Sequence, residues 1–191
     1  MSSTGRRLHY TYEQYLALEA ESFIRHEYLD GEIYAMAGGS PDHAALAATI
    51  IGLLRPQPPP GCRAFTSDLR VRIPATGLAT YPDIAVVCGR TQRATDDALA
   101  VVNPVLLVEI TSKSTEEYDR GEKLRHYQHL LSVREILIVS HCEPCLTLHR
   151  REQTAWVTIE ARQRQEVALA AVAARLSVDD VYRDELEDAH R

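Results

Sequence analysis

Two apolar segments in the middle of the chain constrain its fold most strongly. Residues 84–88 and 105–108 contain no polar side chain. Uninterrupted apolar runs of this length are typical of strands that are covered on both faces, whereas a strand with one solvated face alternates. The chain must therefore place a layer on each side of a central sheet. We predict an α/β fold, in which a mixed β-sheet is flanked by helices.

Helices that could form these layers are indicated by their capping signals and by apolar periodicity. A capping box at Thr11 and Gln14 predicts a helix to about residue 21. Ser40 followed by proline predicts a second helix that runs to about residue 54. Apolar residues at helical spacing predict a third helix over residues 116–131; they are Leu124, Tyr127 and Leu131.

Several shorter segments have the pattern of strands. Asp30-Gly31 is a preferred two-residue hairpin turn, and it predicts strands over residues 23–29 and 32–36. Residues 69–73 alternate between apolar side chains and arginine, which predicts a half-exposed strand whose arginines could contact nucleic acid. Further strands are expected over 135–139, 146–149 and 155–159. We expect one domain over residues 1–191, with its core at about residues 40–140.

Charge and composition limit the classes of function. A net charge of −6 counts against a protein that coats nucleic acid nonspecifically, because such binding depends on lysine and arginine. No apolar run resembles a membrane span or a secretory signal, so we expect a cytoplasmic protein without a membrane partner. Its four cysteines are then expected to be reduced. The pair Cys142 and Cys145 fits a hairpin turn, with a zinc or redox site as the alternative.

Each apolar strand carries one carboxylate. Asp83 precedes the first strand, and Glu109 lies near the end of the second. If the strands are antiparallel neighbours, both carboxylates could reach one cation, and oxygen ligands suit Mg²⁺ or Mn²⁺. Residues 89–103 are also long enough for a parallel crossover, which would separate the acids. In that case Asp83 would assist a turn and Glu109 would pair with a structural arginine or lysine.

Other residues could complete such a site. Lys123 lies four residues after Asp119, so the two form either a surface ion pair or part of a site in which the ammonium points at the carboxylates. His43, in the first turn of the second helix, could contact metal or phosphate, or could cap the helix. Glu27 lies in the hairpin, where solvation of the strand would also explain it.

An ordered set of segments extends over roughly residues 10–185 and carries a family resemblance. The set consists of His26-Glu27-Tyr28-Leu29-Asp30-Gly31-Glu32-Ile33, His43, Tyr81-Pro82-Asp83-Ile84-Ala85-Val86-Val87, Asn103-Pro104-Val105-Leu106-Leu107-Val108-Glu109-Ile110-Thr111-Ser112, Ser114-Thr115, Asp119, Lys123, Tyr127 and Val133-Arg134-Glu135-Ile136-Leu137-Ile138-Val139. Together these segments resemble the Uma family of restriction-endonuclease-like proteins, within the PD-(D/E)xK superfamily. The resemblance implies a restriction-endonuclease-like core with an N-terminal helix and β-hairpin.

The resemblance also implies roles for individual residues. Asp83 and Glu109 would be the two acids of the superfamily motif, holding Mg²⁺ or Mn²⁺. The motif places lysine two residues after the second acid, where this chain has Thr111. The resemblance suggests that Lys123 supplies the amine instead, with Lys113 as a rival nearer in sequence. It places Glu27, His43, Thr111 and Asp119 around the site.

The function expected from this resemblance is hydrolysis of phosphodiester bonds in DNA by a homodimeric, Mg²⁺-dependent endodeoxyribonuclease. The substitution of threonine for the motif lysine leaves open a catalytically degenerate relative that acts as a nucleic-acid-binding or regulatory dimer. A zinc protein built on Cys142 and Cys145 is the third alternative.

Overall fold

A computed structural model describes residues 9–36, 38–153 and 155–184. The strands are β1 His26–Leu29, β2 Glu32–Ala35, β3 Cys62–Thr66, β4 Val71–Ile73, β5 Leu78–Thr80, β6 Ile84–Cys88, β7 Leu106–Ile110, β8 Glu135–Val139, β9 Cys145–Glu152, β10 Ala155–Arg162, β11 Glu166–Leu169 and β12 Ala174–Ser177. The helices are α1 Tyr12–Glu21, α2 Pro41–Leu54, α3 Glu116–Tyr118, α4 Leu124–Gln128 and α5 Val178–Val181, and a π-helical turn, Asp119–Lys123, joins α3 to α4.

The central sheet has six strands in the order β10-β9-β8-β7-β6-β3. β7 and β8 are parallel, and every other neighbouring pair is antiparallel, so the sheet is mixed as predicted. β6 and β7 are antiparallel neighbours, with Ile84 opposite Val108. The long connection over residues 89–103 is therefore not a parallel crossover, and the acids at Asp83 and Glu109 lie at the same end of the sheet.

The apolar strands are buried on both faces, as their composition predicts. On one face, Leu106 and Val108 belong to a core cluster with Ile50 of α2. On the other face, Leu107 belongs to a second cluster with Tyr127 of α4. Side chains alternate between the two faces along a strand, so β7 needs apolar residues in both registers. The covering layers are α2 with the β11–β12 hairpin on one side, and the helical segment α3–α4 on the other.

A second sheet, in the order β2-β1-β5-β4, carries the N-terminal hairpin. The hairpin turn is confirmed, since Asp30 and Gly31 both have positive φ angles of 46° and 84°. The capping box of α1 is confirmed as well, with Thr11 and Gln14 each bonded to the other's backbone. Tyr15 of α1 is fully buried against the β1–β5 region of this sheet. The hairpin is thereby fixed beside β5, which leads into the start of β6.

The predicted half-exposed strand at residues 69–73 is wrong. β4 is buried along its whole length, and Arg70 and Arg72 are each only 7% exposed. Arg70 donates to Asp97 at 2.6 Å, and Arg72 pairs with Asp96 at 3.2 Å. Their partners come from the connection between β6 and β7, so these two arginines tie the second sheet to that connection. They are not available to contact nucleic acid.

The number of strands and the end of the third helix also differ from the predictions. Between α2 and α3 the chain forms five strands rather than three, because the short strands β3 and β5 lack a clear alternating pattern. The third helix ends at Gln128, and Leu131 lies outside it with 89% of its surface exposed. None of the described helices is long and apolar enough to cross a bilayer. The single domain stays a prediction.

The cysteines divide into two pairs. Cys62 and Cys88 form a disulfide, so the prediction of reduced thiols is wrong for them. The reason is the register of β3 and β6, which places the two residues directly opposite each other. Cys142 and Cys145 are free and lie at the connection between β8 and β9, as the hairpin interpretation predicts.

We predict that Arg70→Leu destabilises the protein by about 3–5 kcal/mol, because it leaves the carboxylate of Asp97 buried without its cation. Unfolding in urea, followed by circular dichroism, measures this change. The control is Arg90→Leu at an exposed position, which should change stability by no more than about 0.5 kcal/mol. A loss below about 1 kcal/mol for Arg70→Leu would contradict a stabilising role for the pair.

Candidate active site

Asp83 and Glu109 meet at one end of the central sheet. The antiparallel register pairs Ile84 with Val108, and Asp83 and Glu109 are the next residues of the two segments towards the same end of the sheet. The backbone N–H of Ile110 donates to Asp83 Oδ2 at 2.7 Å. The charge of Asp83 also contributes to raising the pKa of Glu109. Two carboxylates from neighbouring strands thus share one small region.

Lys123 joins these acids from the opposite layer. Its Nζ lies 3.0 Å from Glu27 Oε1, 3.1 Å from Glu109 Oε1 and 3.8 Å from Asp119 Oδ1. Lys123 is only 5% exposed, and Asp119 only 4%, so the interpretation as a surface ion pair is wrong. The interpretation of Glu27 as a solvated strand residue is wrong too, because its side chain is 12% exposed and turned towards the ammonium.

A neutral hydroxyl supports each of the two glutamates. Tyr127 donates its phenolic hydrogen to Glu109 Oε1, and Thr80 donates to Glu27 Oε1. Each Oε1 atom therefore receives both a hydroxyl and the Lys123 ammonium. Sequence analysis placed Tyr127 in the apolar helix face and in the family segments but gave it no role at the site, and it missed Thr80. The available signals for Tyr127 were its place in the family segments and its spacing, four residues after Lys123.

The helical segment presents its functional residues on one face because it contains a π-helical turn. In a regular α-helix, residues eight apart, such as Asp119 and Tyr127, differ by about 80° around the axis. The π turn over Asp119–Lys123 takes more residues per turn, which reduces this rotation. Asp119, Lys123 and Tyr127 all face the sheet as a result. Turns of this kind are frequent at functional sites.

Burial and charge together set the ionisation of the cluster. Burial raises the pKa of Glu109 above its ordinary value, although the Lys123 ammonium opposes this shift and favours the carboxylate. Burial also raises the pKa of Asp119. For Lys123, burial alone would lower the pKa, but the surrounding carboxylates, above all Glu109, raise it well above its ordinary value. Lys123 is therefore an ammonium at neutral pH.

His43 approaches Asp83 from the first turn of α2. Ser40 caps this helix, since its hydroxyl accepts from the N–H of His43. The ring Nε2 lies 3.2 Å from Asp83 Oδ2. The hydrogen bond to Asp83 raises the pKa of His43. Sequence analysis proposed contact with metal, phosphate or the cap, and the structure instead places His43 against the carboxylate of Asp83.

The position of the superfamily lysine is occupied by a buried hydroxyl. Thr111 is fully buried, and its Oγ1 lies 2.9 Å from Nδ1 of His141. Lys113 and Lys123 are the two lysines of the chain, and Lys113 is exposed in the loop after β7. Lys123 is therefore the lysine that reaches the acids. Sequence analysis missed His141, because the contact joins the ends of two strands.

The donor set suits a hard divalent cation. Asp83 and Glu109 offer carboxylate oxygens, and Mg²⁺ commonly binds one or two carboxylates while it retains several waters. Among the described residues, no group of three or more histidine, cysteine, aspartate or glutamate side chains is arranged as a metal site. A two-carboxylate site completed by water and substrate phosphate is thus the arrangement that the residues fit.

Comparison with known proteins identifies the family of the chain. The family described as "Uma2: Putative restriction endonuclease" matches residues 12–179. The chain belongs to the Uma2 family. Two uncharacterized proteins of Synechocystis sp. are similar to it: one is 34% identical over 173 residues, covering 90% of each chain, and the other is 30% identical over 132 residues, covering 68% of this chain and 73% of the relative.

A solved structure supports the fold of this Uma2 protein. The crystal structure of "a putative nuclease belonging to DUF820" from Anabaena variabilis superimposes with a TM-score of 0.72 at 20% identity, covering 90% of this chain and 96% of the other. The predicted fold class is confirmed: the Uma2 chain has a mixed α/β, restriction-endonuclease-like fold. The Uma family resemblance drawn from the sequence is confirmed as well.

We predict that the two lysines of this Uma2 protein differ strongly in reactivity. Because Lys123 is enclosed by three carboxylates, acetic anhydride should modify it at least about tenfold more slowly than the exposed Lys113. Peptide mass spectrometry of the briefly treated native protein measures both rates. In urea the two rates should become equal, and equal rates in the native protein would contradict the buried ammonium.

Proposed function

We propose that this Uma2 protein is a divalent-metal-dependent endonuclease that hydrolyses phosphodiester bonds in DNA. The observation that carries the proposal is the pairing of Asp83 and Glu109 from neighbouring strands beside the buried ammonium of Lys123. The family description supports nuclease chemistry. DNA is the substrate that the name restriction endonuclease suggests for this chain.

In this proposal Asp83 and Glu109 hold Mg²⁺ or Mn²⁺. The bound ion would supply Lewis-acid polarisation of the phosphate and a more acidic water. Lys123, ion-paired with three carboxylates, keeps its proton and acts as a cationic donor rather than as a base. Its charge stabilises the negative charge that develops on the phosphoryl oxygens in the transition state.

The remaining side chains position these groups. His43 and the N–H of Ile110 both bond to Asp83 Oδ2, which fixes the orientation of that carboxylate. Tyr127 fixes Glu109 in the same way. Outer contacts of this kind orient metal-binding carboxylates and are commonly worth about 10–100-fold in metal affinity or activity. Asp119 and Glu27 neutralise Lys123 and hold it in place. A homodimer in the cytoplasm remains our expectation.

We predict that the purified protein cleaves plasmid DNA with Mg²⁺ or Mn²⁺, and that Asp83→Asn and Glu109→Gln each reduce the rate at least about a hundredfold, equivalent to about 2.7 kcal/mol. These substitutions keep the side-chain shape while they remove the negative charge. Gel electrophoresis of the time course measures the rate. Circular dichroism confirms that each variant is folded.

The same cleavage assay tests which lysine contributes to cleavage. It compares Lys123→Met with its matched control, Lys113→Met. Loss of cleavage is expected for the first variant and ordinary cleavage for the second, because Lys113 is exposed in a loop. Cleavage that persists in both Asp83→Asn and Glu109→Gln would refute the proposed site and indicate a contaminating nuclease.

A degenerate relative that binds nucleic acid without cleaving it is the second candidate. One observation favours it: the Lys123 ammonium already neutralises Glu109, at 3.1 Å, as a bound cation would. In a degenerate site this ion pair would be permanent. Glu109 would then have little remaining charge for a divalent ion.

We predict that calorimetry with Mn²⁺ separates the two candidates. The nuclease proposal requires saturable binding of the ion, which Glu109→Gln weakens by at least about tenfold. The control is Glu152→Gln, which removes an exposed carboxylate at the opposite end of the sheet. Wild-type protein that gives no binding heat, and no cleavage, would favour the degenerate protein.

A further inference from the structure

We propose that His141 contacts a phosphate of the nucleic acid, from the place where the superfamily motif has its lysine. This inference rests on the proposed nuclease function and adds a substrate-contacting residue to it. It starts from the contact between His141 and Thr111, which the reaction described above does not use.

The parallel pairing of β7 and β8 brings the two residues together. Parallel strands end at the same edge of a sheet, and Glu109 stands beside Ile138 in the register. Beyond the paired segment, the N–H of Thr111 donates to the carbonyl of Val139 at 2.9 Å. The chain of β8 then turns at Ser140, and His141 lies beside Thr111.

Two hydrogen bonds join the residues. Thr111 Oγ1 accepts from the backbone N–H of His141 at 3.2 Å, and the same Oγ1 lies 2.9 Å from the ring Nδ1. The hydroxyl of Thr111 is fully buried, so its own hydrogen needs an acceptor. Nδ1 is the acceptor that these contacts provide. The hydroxyl therefore donates to Nδ1.

This arrangement fixes the tautomer of the imidazole. When Nδ1 accepts, the hydrogen of a neutral ring is on Nε2. His141 then presents an N–H donor on the side of the ring away from Thr111. His141 is half-buried rather than enclosed, so part of the residue is open to solvent, and Nε2 is the ring nitrogen that Thr111 leaves unbonded. An N–H donor held in one orientation is suited to a phosphate oxygen.

The residue that holds His141 lies close to the acids. Thr111 follows Glu109 by two residues, so an extended chain places their side chains on the same face, about 7 Å apart, and His141 bonds to Thr111. A distance of this size is comparable to the separation of neighbouring phosphates in a nucleic acid strand. In this arrangement Lys123 remains beside the carboxylates and the reacting phosphate, and His141 contacts a neighbouring phosphate of the substrate.

Kinetics on a DNA oligonucleotide with Mn²⁺ tests the contact. His141→Ala should lower kcat/KM at least about tenfold, while His129→Ala, at an exposed position near the other end of the sheet, should leave it unchanged. Thr111→Val should also lower kcat/KM, because it removes the hydroxyl that orients the ring. Thr111→Ser keeps a hydroxyl at this position, so its kcat/KM should equal that of the wild-type protein. Wild-type kinetics for His141→Ala, with a cleaving wild-type protein, would overturn the proposal.

A spectroscopic measurement distinguishes failure of this proposal from failure of the proposed function. With ¹⁵N-labelled histidine above neutral pH, the ring signals of His141 should show hydrogen on Nε2 in wild type and mixed tautomers in Thr111→Val. Titration of Asp83→Asn protein with the oligonucleotide should shift the His141 Nε2 signal without any cleavage. Hydrogen on Nδ1, or an unshifted signal while the oligonucleotide binds, would overturn the contact even if the protein is a nuclease. A shift in a protein that never cleaves would support the contact and reject the nuclease.

Discussion

The antiparallel pairing of β6 and β7 is the constraint on which the candidate site depends. It places Asp83 and Glu109 at one end of the sheet, where burial of two carboxylates would be unfavourable without compensation. The ammonium of Lys123 provides that compensation for Glu109 from the helical layer, and His43 with the Ile110 N–H provides it for Asp83. A buried ion pair of this kind contributes little net stability, since desolvation offsets the attraction. For this reason we connect the Lys123–Glu109 pair with the proposed function rather than with stability.

Sequence patterns predicted the parts of the structure that depend on neighbouring residues. The capping box at Thr11, the cap at Ser40 and the turn at Asp30-Gly31 are local arrangements, and all three are observed. The apolar runs predicted a sheet covered on both faces, because burial of a strand on both sides is visible in its own consecutive residues. The acids were recognisable because a single carboxylate in an apolar strand is conspicuous. That they converge also required a register, which the residues alone left open.

The features that sequence analysis missed depend on partners far along the chain. Arg70 alternates with apolar residues as a solvated side chain would, and its burial is explained only by distant partners, Asp97 and Tyr81. Thr80 gives no local sign that it bonds to Glu27, which lies 53 residues earlier. His141 is reached only through the parallel pairing of β7 with β8. Periodicity reports which face of an element is apolar, and it contains no information about such pairs.

In this chain the amine comes from a helix rather than from a strand, so the site depends on more structural elements than the sheet alone. A lysine at position 111 would share the rigid register of β7 with Glu109, so the sheet alone would fix their distance. Lys123 belongs to another layer, and its distance from Glu109 depends on the π-helical turn and on Glu27 from the hairpin. The N-terminal hairpin and the helix must therefore both dock before the amine is in place. Tyr81, two residues before Asp83, links this docking to the strand of the acids, because it donates to Glu19 of α1 and accepts from the buried Arg70.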